Sequence, residues 1–218
     1  MTLKRDTTAL VIIDMQRDFC SPGGYADRAG LDISRMQAVV SQVQTLLQAA
    51  RDAGLLVVHT REGHPPDLSD CSPAKLQRSV AAGAPIGDLG PLGRLLIQGE
   101  YGHDFVDKLQ PLAGEIVIDK PGYGAFHATR LNRLLAAHGI EQLIICGVTT
   151  EVCVHSTLRE AVDHGYKCTT VSNATAASEP EHQAPALAMI GVEGGIFGRL
   201  ASVDECVSAF QSIPLEIL

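Results

Sequence analysis

The sequence predicts an α/β protein in which a doubly wound, mainly parallel six-stranded sheet carries helices on both faces. Short apolar segments alternate along the chain with segments of helical periodicity, which is the element order of a parallel sheet with crossover helices. The 218 residues show no internal repeat, low-complexity segment or linker. We therefore predict a single domain over residues 1–218, long enough to bury a full core.

Each predicted strand is a short apolar run. The run TALVIID at residues 8–14 has no polar alternation and ends in an acid, Asp14. Such a run is typical of a strand that is buried on both faces of a parallel sheet. The other predicted strands lie at residues 55–59, 115–119, 143–146 and 167–172, and near Leu200.

Each predicted helix shows apolar residues at three- or four-residue steps, or a glycine at its C-terminal end. In the longest predicted helix, apolar residues recur from Ile33 to Ala50, and the helix ends at Gly54. Shorter helices are predicted at residues 131–135, 153–162 and 182–190, and from Val203 onward. Residues 61–100 are irregular and rich in Gly and Pro, and an insertion of this length predicts a lid or an oligomer contact.

The segment LIICGVTTEVC at residues 143–153 combines a strand, a turn at Gly147 and the start of a helix. Thr149 or Thr150 is expected to cap that helix. Cys153 would then lie in the first turn, where the helix dipole and free N–H groups favour an anion. We therefore expect a lowered pKa for its thiol and a role as nucleophile. The alternative is a small buried residue without a chemical role.

Three reactive side chains follow three different predicted strands: Asp14, Lys120 and Cys153. The carboxyl ends of the strands are where open α/β sheets bind their ligands. A cysteine nucleophile needs a base or a cationic neighbour, and Asp14 and Lys120 can supply both. Taken singly, an acid after a strand is often a turn cap and a lysine is usually solvated. Their coincidence favours a catalytic site.

Composition excludes several other classes of function. The formal net charge of −8, the 4% aromatic content and the absence of Trp argue against nucleic-acid or anionic-membrane partners. No apolar window is long enough to span a membrane, and the N-terminus does not resemble a signal peptide. The six cysteines have no metal-binding spacing and fit a reduced, cytoplasmic protein.

Three motifs together resemble the isochorismatase-like cysteine hydrolases: DMQRDF at residues 14–19, DKP at residues 119–121 and GVTTEVC at residues 147–153. The resemblance covers nearly the whole chain. It implies a catalytic triad, which consists of Cys153, Asp14 and Lys120. It also implies a cis peptide bond between Val148 and Thr149, and an oxyanion hole formed by the backbone N–H groups of Thr149 and Cys153.

Within that family the chain resembles the biuret and triuret hydrolases. The matching segments are HTREGHPPDLS at residues 59–69, GEYGHD at 99–104, DKPGYG at 119–124 and GGIFG at 194–198. Glu193 departs from the pattern, because biuret hydrolases have Gln before the Gly-Gly pair. A carboxylate only accepts hydrogen bonds, so Glu193 favours a ligand with an N–H group there, such as triuret or another extended ureide. The alternative is a solvated acid at a helix end.

Further candidates for substrate binding are Arg61, Phe19, Tyr25 and Tyr123. Arg61 stands about where nicotinamidases of the family have a metal-binding Asp, so the resemblance implies no metal here, and we expect no cofactor. Its guanidinium could donate to a substrate carbonyl or hold the long insertion in place. The three aromatic side chains could wall a flat pocket or belong to the core.

We hypothesise a cysteine amidohydrolase that releases ammonia from a small linear ureide, triuret or biuret, through a Cys153 thioester. The alternatives are a ureidoacrylate, nicotinamide-like or isochorismate-like substrate, or a catalytically inactive module in which Cys153 is a redox-sensing thiol. We also expect a homo-oligomer, with a tetramer favoured by the resemblance. Its interface could use the apolar residues Leu92, Leu95, Leu96 and Ile97 of the insertion.

Overall fold

The computed structural model describes residues 2–213, and it confirms the predicted doubly wound sheet. All neighbouring strands of the six-stranded sheet run parallel. The strands, in chain order, are β1 (Thr8–Ile13), β2 (Leu56–Glu62), β3 (Leu89–Gly90), β4 (Gly93–Arg94), β5 (Ile116–Lys120), β6 (Gln142–Val148), β7 (Lys167–Ala176) and β8 (Arg199–Ala201). The order across the sheet is β5-β2-β1-β6-β7-β8, and β3 and β4 form a separate antiparallel hairpin.

The helices cover both faces of this sheet. They are α1 (Arg17–Cys20), α2 (Tyr25–Arg28), α3 (Ile33–Ala38), α4 (Val40–Asp52), α5 (Pro73–Ala81), α6 (Leu131–Ala137), α7 (His155–Asp163), α8 (Pro180–Ile190), α9 (Val192–Gly195) and α10 (Val203–Gln211). The side chains of β1 alternate between two cores. Leu10 and Ile12 pack in the core that contains α4 and α10, whereas Val11 and Ile13 pack in the core that contains α6 and α7. Both faces of β1 are therefore buried, which explains its uninterrupted apolar sequence.

The direction of winding reverses between β1 and β6. From β1 the chain proceeds to β2 and β5 on one side, and from β6 it proceeds to β7 and β8 on the other. Gly147 near the end of β6 has φ 110°, and a Cβ there would collide with the backbone of Ile13. Glycine therefore allows the carboxyl ends of β1 and β6 to meet. The crevice at such a reversal is where doubly wound sheets bind ligands.

The structure corrects the prediction for the long insertion. Residues 61–100 contain helix α5, whose N-cap Ser72 accepts the N–H of Lys75 at 3.3 Å, and the hairpin of β3 and β4. Leu95, Leu96 and Ile97 are at most 1% exposed. They fill the protein's own core, so the argument that placed them in an oligomer interface is wrong. The homo-oligomer itself stays a prediction.

Several element boundaries also differ from the sequence prediction. Strand β2 continues three residues beyond His59 to Glu62, and β7 continues to Ala176. The predicted helix from Ile33 is divided at Val39 into α3 and α4. In the part of the chain that the structure describes, no helix is both long and apolar enough to cross a membrane.

Candidate active site

Asp14 lies immediately after β1 and is completely buried. Its backbone adopts φ 49°, a left-handed conformation that non-glycine residues adopt rarely, although Asp does so more readily than most. The Thr60 hydroxyl donates to Asp14 Oδ1 at 2.6 Å, and the Asp14 N–H donates to the same hydroxyl at 3.2 Å. Burial raises the pKa of Asp14, and Lys120 only partly opposes this effect. The carboxylate is therefore suited to take up a proton.

Lys120 is the last residue of β5 and is also completely buried. Its Nζ lies 2.8 Å from Asp14 Oδ2 and donates to the carbonyls of Gly122 and Tyr123 at 3.0 and 2.9 Å. Burial alone would lower the pKa of Lys120, but the neighbouring Asp14, Cys153 and Glu62 raise it well above its ordinary value. The ammonium group is therefore a fixed positive charge beside Asp14.

Cys153 belongs to a π-helical turn, Thr150–Val154, that precedes α7. The prediction of a threonine cap is wrong: Thr149 precedes the turn without a side-chain capping bond, and Thr150 Oγ1 donates to Gln183 Oε1 at 2.9 Å. Instead, the Thr149 carbonyl accepts the N–H groups of Val152 and Val154 at 3.2 and 3.1 Å. The peptide bond between Val148 and Thr149 is cis, as the family resemblance implies.

The expected lowering of the Cys153 pKa is also wrong. Burial raises the pKa of the Cys153 thiol well above its ordinary value, Lys120 opposes this, and Asp14 and Glu62 add to it. The local backbone at a helix start lowers a thiol pKa, but the carboxylates of Asp14 and Glu62 lie close to Cys153 and raise it. The raised pKa favours the neutral thiol, so nucleophilic attack by Cys153 would require transfer of its proton to a neighbouring base.

Glu62 is a site residue that the sequence analysis missed. It is 3% exposed, and its Oε2 accepts a hydrogen bond from Cys153 Sγ at 3.2 Å. Its Oε1 lies 2.7 Å from Lys75 Nζ, and Oε2 lies 3.6 Å from Lys120 Nζ. Burial alone would raise the pKa of Glu62, but Lys120 and Lys75 lower it below its ordinary value. Glu62 is therefore ionised beside the thiol.

A signal for Glu62 was present in the sequence. Glu62 and Lys120 are partners in the parallel register of β2 and β5, so both lie at the carboxyl edge of the sheet. The sequence prediction ends the second strand at residue 59 and so assigns Glu62 to the insertion, whereas β2 extends to Glu62. Lys75 could not have been found in this way, because it reaches the site from α5 and its Nζ also donates to the Pro121 carbonyl at 2.6 Å.

Cys153 opens into a cavity of about 420 Å³, a volume that suits a small molecule. Five residues that the sequence analysis singled out line it: Phe19, Tyr25, Tyr123, Thr149 and Cys153. The rings of Phe19 and Tyr25 meet edge to face, 6.1 Å apart. Further lining residues come from the end of β2, from α5 and from loops: Glu62, Lys75, Arg78, Ile86 and Ser178.

Two predicted substrate-binding residues do not line this cavity. Arg61 donates from Nε and Nη2 to the two carboxylate oxygens of Asp119, at 2.7 and 3.1 Å, and from Nη1 to Asp104 at 3.3 Å. Arg61 therefore links the end of β2 to β5 and to Asp104, which follows the insertion; these contacts do not reach residues 63–100. Glu193 is exposed, with φ 51°, in the segment after α8.

Asp14, Glu62 and Cys153 offer potential metal-ligand atoms within 4.8 Å of one another. Two ammonium groups already neutralise this cluster, since Lys120 pairs with Asp14 and Lys75 pairs with Glu62. A divalent cation would meet strong repulsion from both lysines. The arrangement therefore suits acid–base and nucleophilic chemistry better than metal binding.

The fold and the cysteine site together define a class of protein, and comparison with known proteins identifies that class. The isochorismatase domain matches residues 8–204, so the chain belongs to the isochorismatase family. It is 36% identical to the ureidoacrylate amidohydrolase RutB of Azorhizobium caulinodans, over 96% of this chain and 92% of that protein. It is also 36% identical to the enzyme of the same name from Serratia proteamaculans, over 90% of this chain and 80% of that protein.

Solved structures agree with this assignment. A cysteine hydrolase from Pseudomonas syringae pv. phaseolicola superposes with a TM-score of 0.82 at 27% identity, over 97% of this chain and 96% of that one.

Proposed function

We propose that this protein is a cysteine amidohydrolase that releases ammonia from the terminal carbamoyl group of a small linear ureide. The observation that carries the proposal is the position of Cys153, at a small cavity and next to the buried pair of Asp14 and Lys120. A thiol, a proton acceptor and a fixed cation are the groups that acyl transfer to cysteine needs. A redox sensor would need neither Asp14 nor Lys120.

In the first half of the reaction, Asp14 accepts the thiol proton while Sγ of Cys153 bonds to the carbamoyl carbon. The carbonyl π electrons move to oxygen, where the N–H groups of Thr149 and Cys153 stabilise the negative charge. In known enzymes one such donor is worth roughly 3–4 kcal/mol. Asp14 then gives its proton to the terminal nitrogen, the C–N bond breaks, and ammonia leaves a thioester on Cys153.

In the second half, water attacks the thioester. Asp14 accepts a proton from the water molecule while the oxygen of that water bonds to the carbonyl carbon. The C–S bond then breaks, and the proton returns to sulfur. Lys120 stays charged throughout, because its pKa is far above neutral. Its charge compensates for the negative charge that moves between Asp14 and Sγ.

A ureide that carries a carboxylate, of the ureidoacrylate type, is the leading substrate class. Two 36%-identical relatives carry the name ureidoacrylate amidohydrolase. The cavity also offers a suitable cation: Arg78 lines it and donates to the hydroxyl of Tyr123. Among the described residues Arg78 has no acidic partner within salt-bridge distance. A guanidinium in this position can bind a substrate carboxylate through two parallel hydrogen bonds.

A neutral ureide, biuret or triuret, is the second candidate. The segment HTREGHPPDLS at residues 59–69 favours it, because it contains Glu62 and matches the biuret and triuret hydrolases. The specific argument for triuret depended on Glu193. Within one chain Glu193 is exposed and does not line the cavity, so it gives no support for triuret over biuret.

Ammonia release from a panel of ureidoacrylate, biuret, triuret and nicotinamide tests the proposal. We expect ammonia from at least one ureide and none from nicotinamide, with ureidoacrylate giving the highest kcat/KM. Arg78→Met should raise KM for ureidoacrylate about tenfold or more and leave KM for biuret within about twofold. No ammonia from any ureide would refute the amidohydrolase. An equal effect of Arg78→Met on both ureides would refute the carboxylate contact.

A further inference from the structure

We propose that Glu62 is a specificity-determining residue that accepts a hydrogen bond from the terminal NH2 group on the reacting carbon of the substrate. This inference rests on the proposed amidohydrolase function. It assigns to Glu62 a task that Asp14 does not perform. We therefore expect the protein to prefer a substrate with a terminal amide group over an otherwise identical compound with an ester group in its place.

The first observation is which of the two carboxylates faces the cavity. Asp14 and Lys120 have no exposed surface and do not line the cavity, whereas Glu62 and Cys153 do. Glu62 Oε2 lies 3.2 Å from the nucleophilic sulfur. A substrate carbon that bonds to this sulfur therefore brings its own substituents within hydrogen-bond distance of Glu62.

The second observation is how Glu62 is held. Lys75 Nζ binds Oε1 at 2.7 Å and is itself fixed to the Pro121 carbonyl at 2.6 Å. This contact orients the carboxylate and leaves Oε2 facing the thiol. Lys120 is 3.6 Å from Oε2, which is too long for a strong hydrogen bond. In the resting protein, the thiol is therefore the hydrogen-bond donor of Oε2.

The reaction removes that donor. Once the thiol proton has moved to Asp14 and sulfur has bonded to carbon, Oε2 no longer has the S–H group as a partner. A buried carboxylate oxygen without a donor is costly. The terminal NH2 of a ureide supplies a new N–H donor on the reacting carbon, whereas an OCH3 group in its place does not. The site therefore stabilises the tetrahedral state of an amide more than that of an ester.

Glu62→Gln is a sharp test because Lys75 fixes the orientation of the side chain. The Gln oxygen should face the Lys75 ammonium, so that its NH2 group points towards Cys153. Two donors, the Gln NH2 and the substrate N–H, would then face each other. A methyl carbamate has OCH3 in place of the terminal NH2 and avoids this conflict. Glu181→Gln is the matched control, because Glu181 is exposed on α8.

The experiment compares kcat/KM for the best ureide of the panel with kcat/KM for its methyl carbamate analogue, in which OCH3 replaces the terminal NH2. Glu62→Gln should lower the value for the ureide about 100-fold and change the value for the methyl carbamate less than about threefold. Glu181→Gln should leave both unchanged. Glu62→Ala removes the acceptor without adding a donor, so it should also lower the ratio of kcat/KM for the ureide to kcat/KM for the methyl carbamate. It keeps the test available if Glu62→Gln fails to fold.

Equal losses on the two substrates in both Glu62 variants would overturn the inference and leave the amidohydrolase intact, because such losses indicate a structural role. Failure of the wild-type protein to release ammonia from any ureide would instead refute the proposed function, and the inference with it.

Discussion

The ammonium group of Lys120 lies 2.8 Å from Asp14 Oδ2, and neither side chain has any exposed surface. Asp14 follows β1 and Lys120 ends β5, and β2 separates these two strands in the sheet. The ion pair therefore spans the site from one strand end to the other. Removal of one partner of a buried pair leaves an uncompensated charge, which typically costs about 3–5 kcal/mol. The pair is therefore expected to matter for both stability and chemistry.

We predict that Lys120→Met lowers the free energy of unfolding by about 3–5 kcal/mol and abolishes turnover. The double variant Asp14→Asn/Lys120→Met should recover part of the lost stability, because no charge remains unpaired, but none of the activity. Urea unfolding and ammonia release measure the two effects. A double variant that is less stable than Lys120→Met would contradict this account of the pair.

A second prediction concerns pH and Glu115, which binds Arg51 through both oxygens and His59 through Oε2. Burial alone would raise its pKa, but hydrogen bonds from Arg51, Leu112 and His59 lower it from 4.5 to about 2. Between these values the unfolded chain binds more protons than the folded one. The stabilisation is therefore complete above pH 4.5 and disappears as the pH falls towards about 2.

Glu115→Gln should accordingly lower the free energy of unfolding by about 2 kcal/mol at pH 7, and the deficit should shrink at pH 3. Urea unfolding at the two pH values gives the comparison, with Glu181→Gln as the exposed control. A deficit that stays constant between pH 7 and pH 3 would show that the charge of Glu115 is not the cause.

The fold could be predicted from the sequence because its signals are local. An uninterrupted apolar run such as residues 8–14 identifies a strand buried on both faces, and Gly147 marks a turn. The structure adds the reason that Gly147 must be glycine, which is the close approach of Ile13 on the adjacent strand. The sequence contains no direct information on that approach.

The candidate triad could be named from the sequence because Asp14 and Cys153 follow strands and Lys120 ends one. The ionisation state of Cys153 could not be predicted from the sequence, because it depends on carboxylates that come from other strands. Glu62 was missed through an error of three residues in a strand end, and Lys75 because a helix of the insertion delivers it. Long-range contacts of this kind have no periodic signal in the chain.

The third prediction tests the structural role of Arg61. Its contacts with Asp119 and Asp104 are partly exposed, so Arg61→Met should lower the free energy of unfolding by about 1 kcal/mol or less. KM for the best ureide should stay within about twofold of wild type, whereas Arg78→Met changes KM for a carboxylate-bearing ureide. A KM that rises tenfold in Arg61→Met would restore Arg61 as a substrate-binding residue.

The fourth prediction is that the enzyme needs no metal ion. Lys120 and Lys75 neutralise the carboxylates of the cluster formed by Asp14, Glu62 and Cys153. Prolonged dialysis against a chelator should leave kcat/KM unchanged. Loss of activity on chelation, restored by zinc or ferrous iron, would contradict the prediction.

The measurement that tests the central claim most directly is ammonia release by Cys153→Ser. Serine preserves the size of the side chain and a donor to Glu62, but its hydroxyl is far less acidic and less nucleophilic than the thiol. We predict that kcat falls by at least about 10³-fold, while the urea unfolding midpoint stays within experimental error of wild type. A Cys153→Ser protein that retains more than about a tenth of the wild-type kcat would contradict nucleophilic catalysis by Cys153.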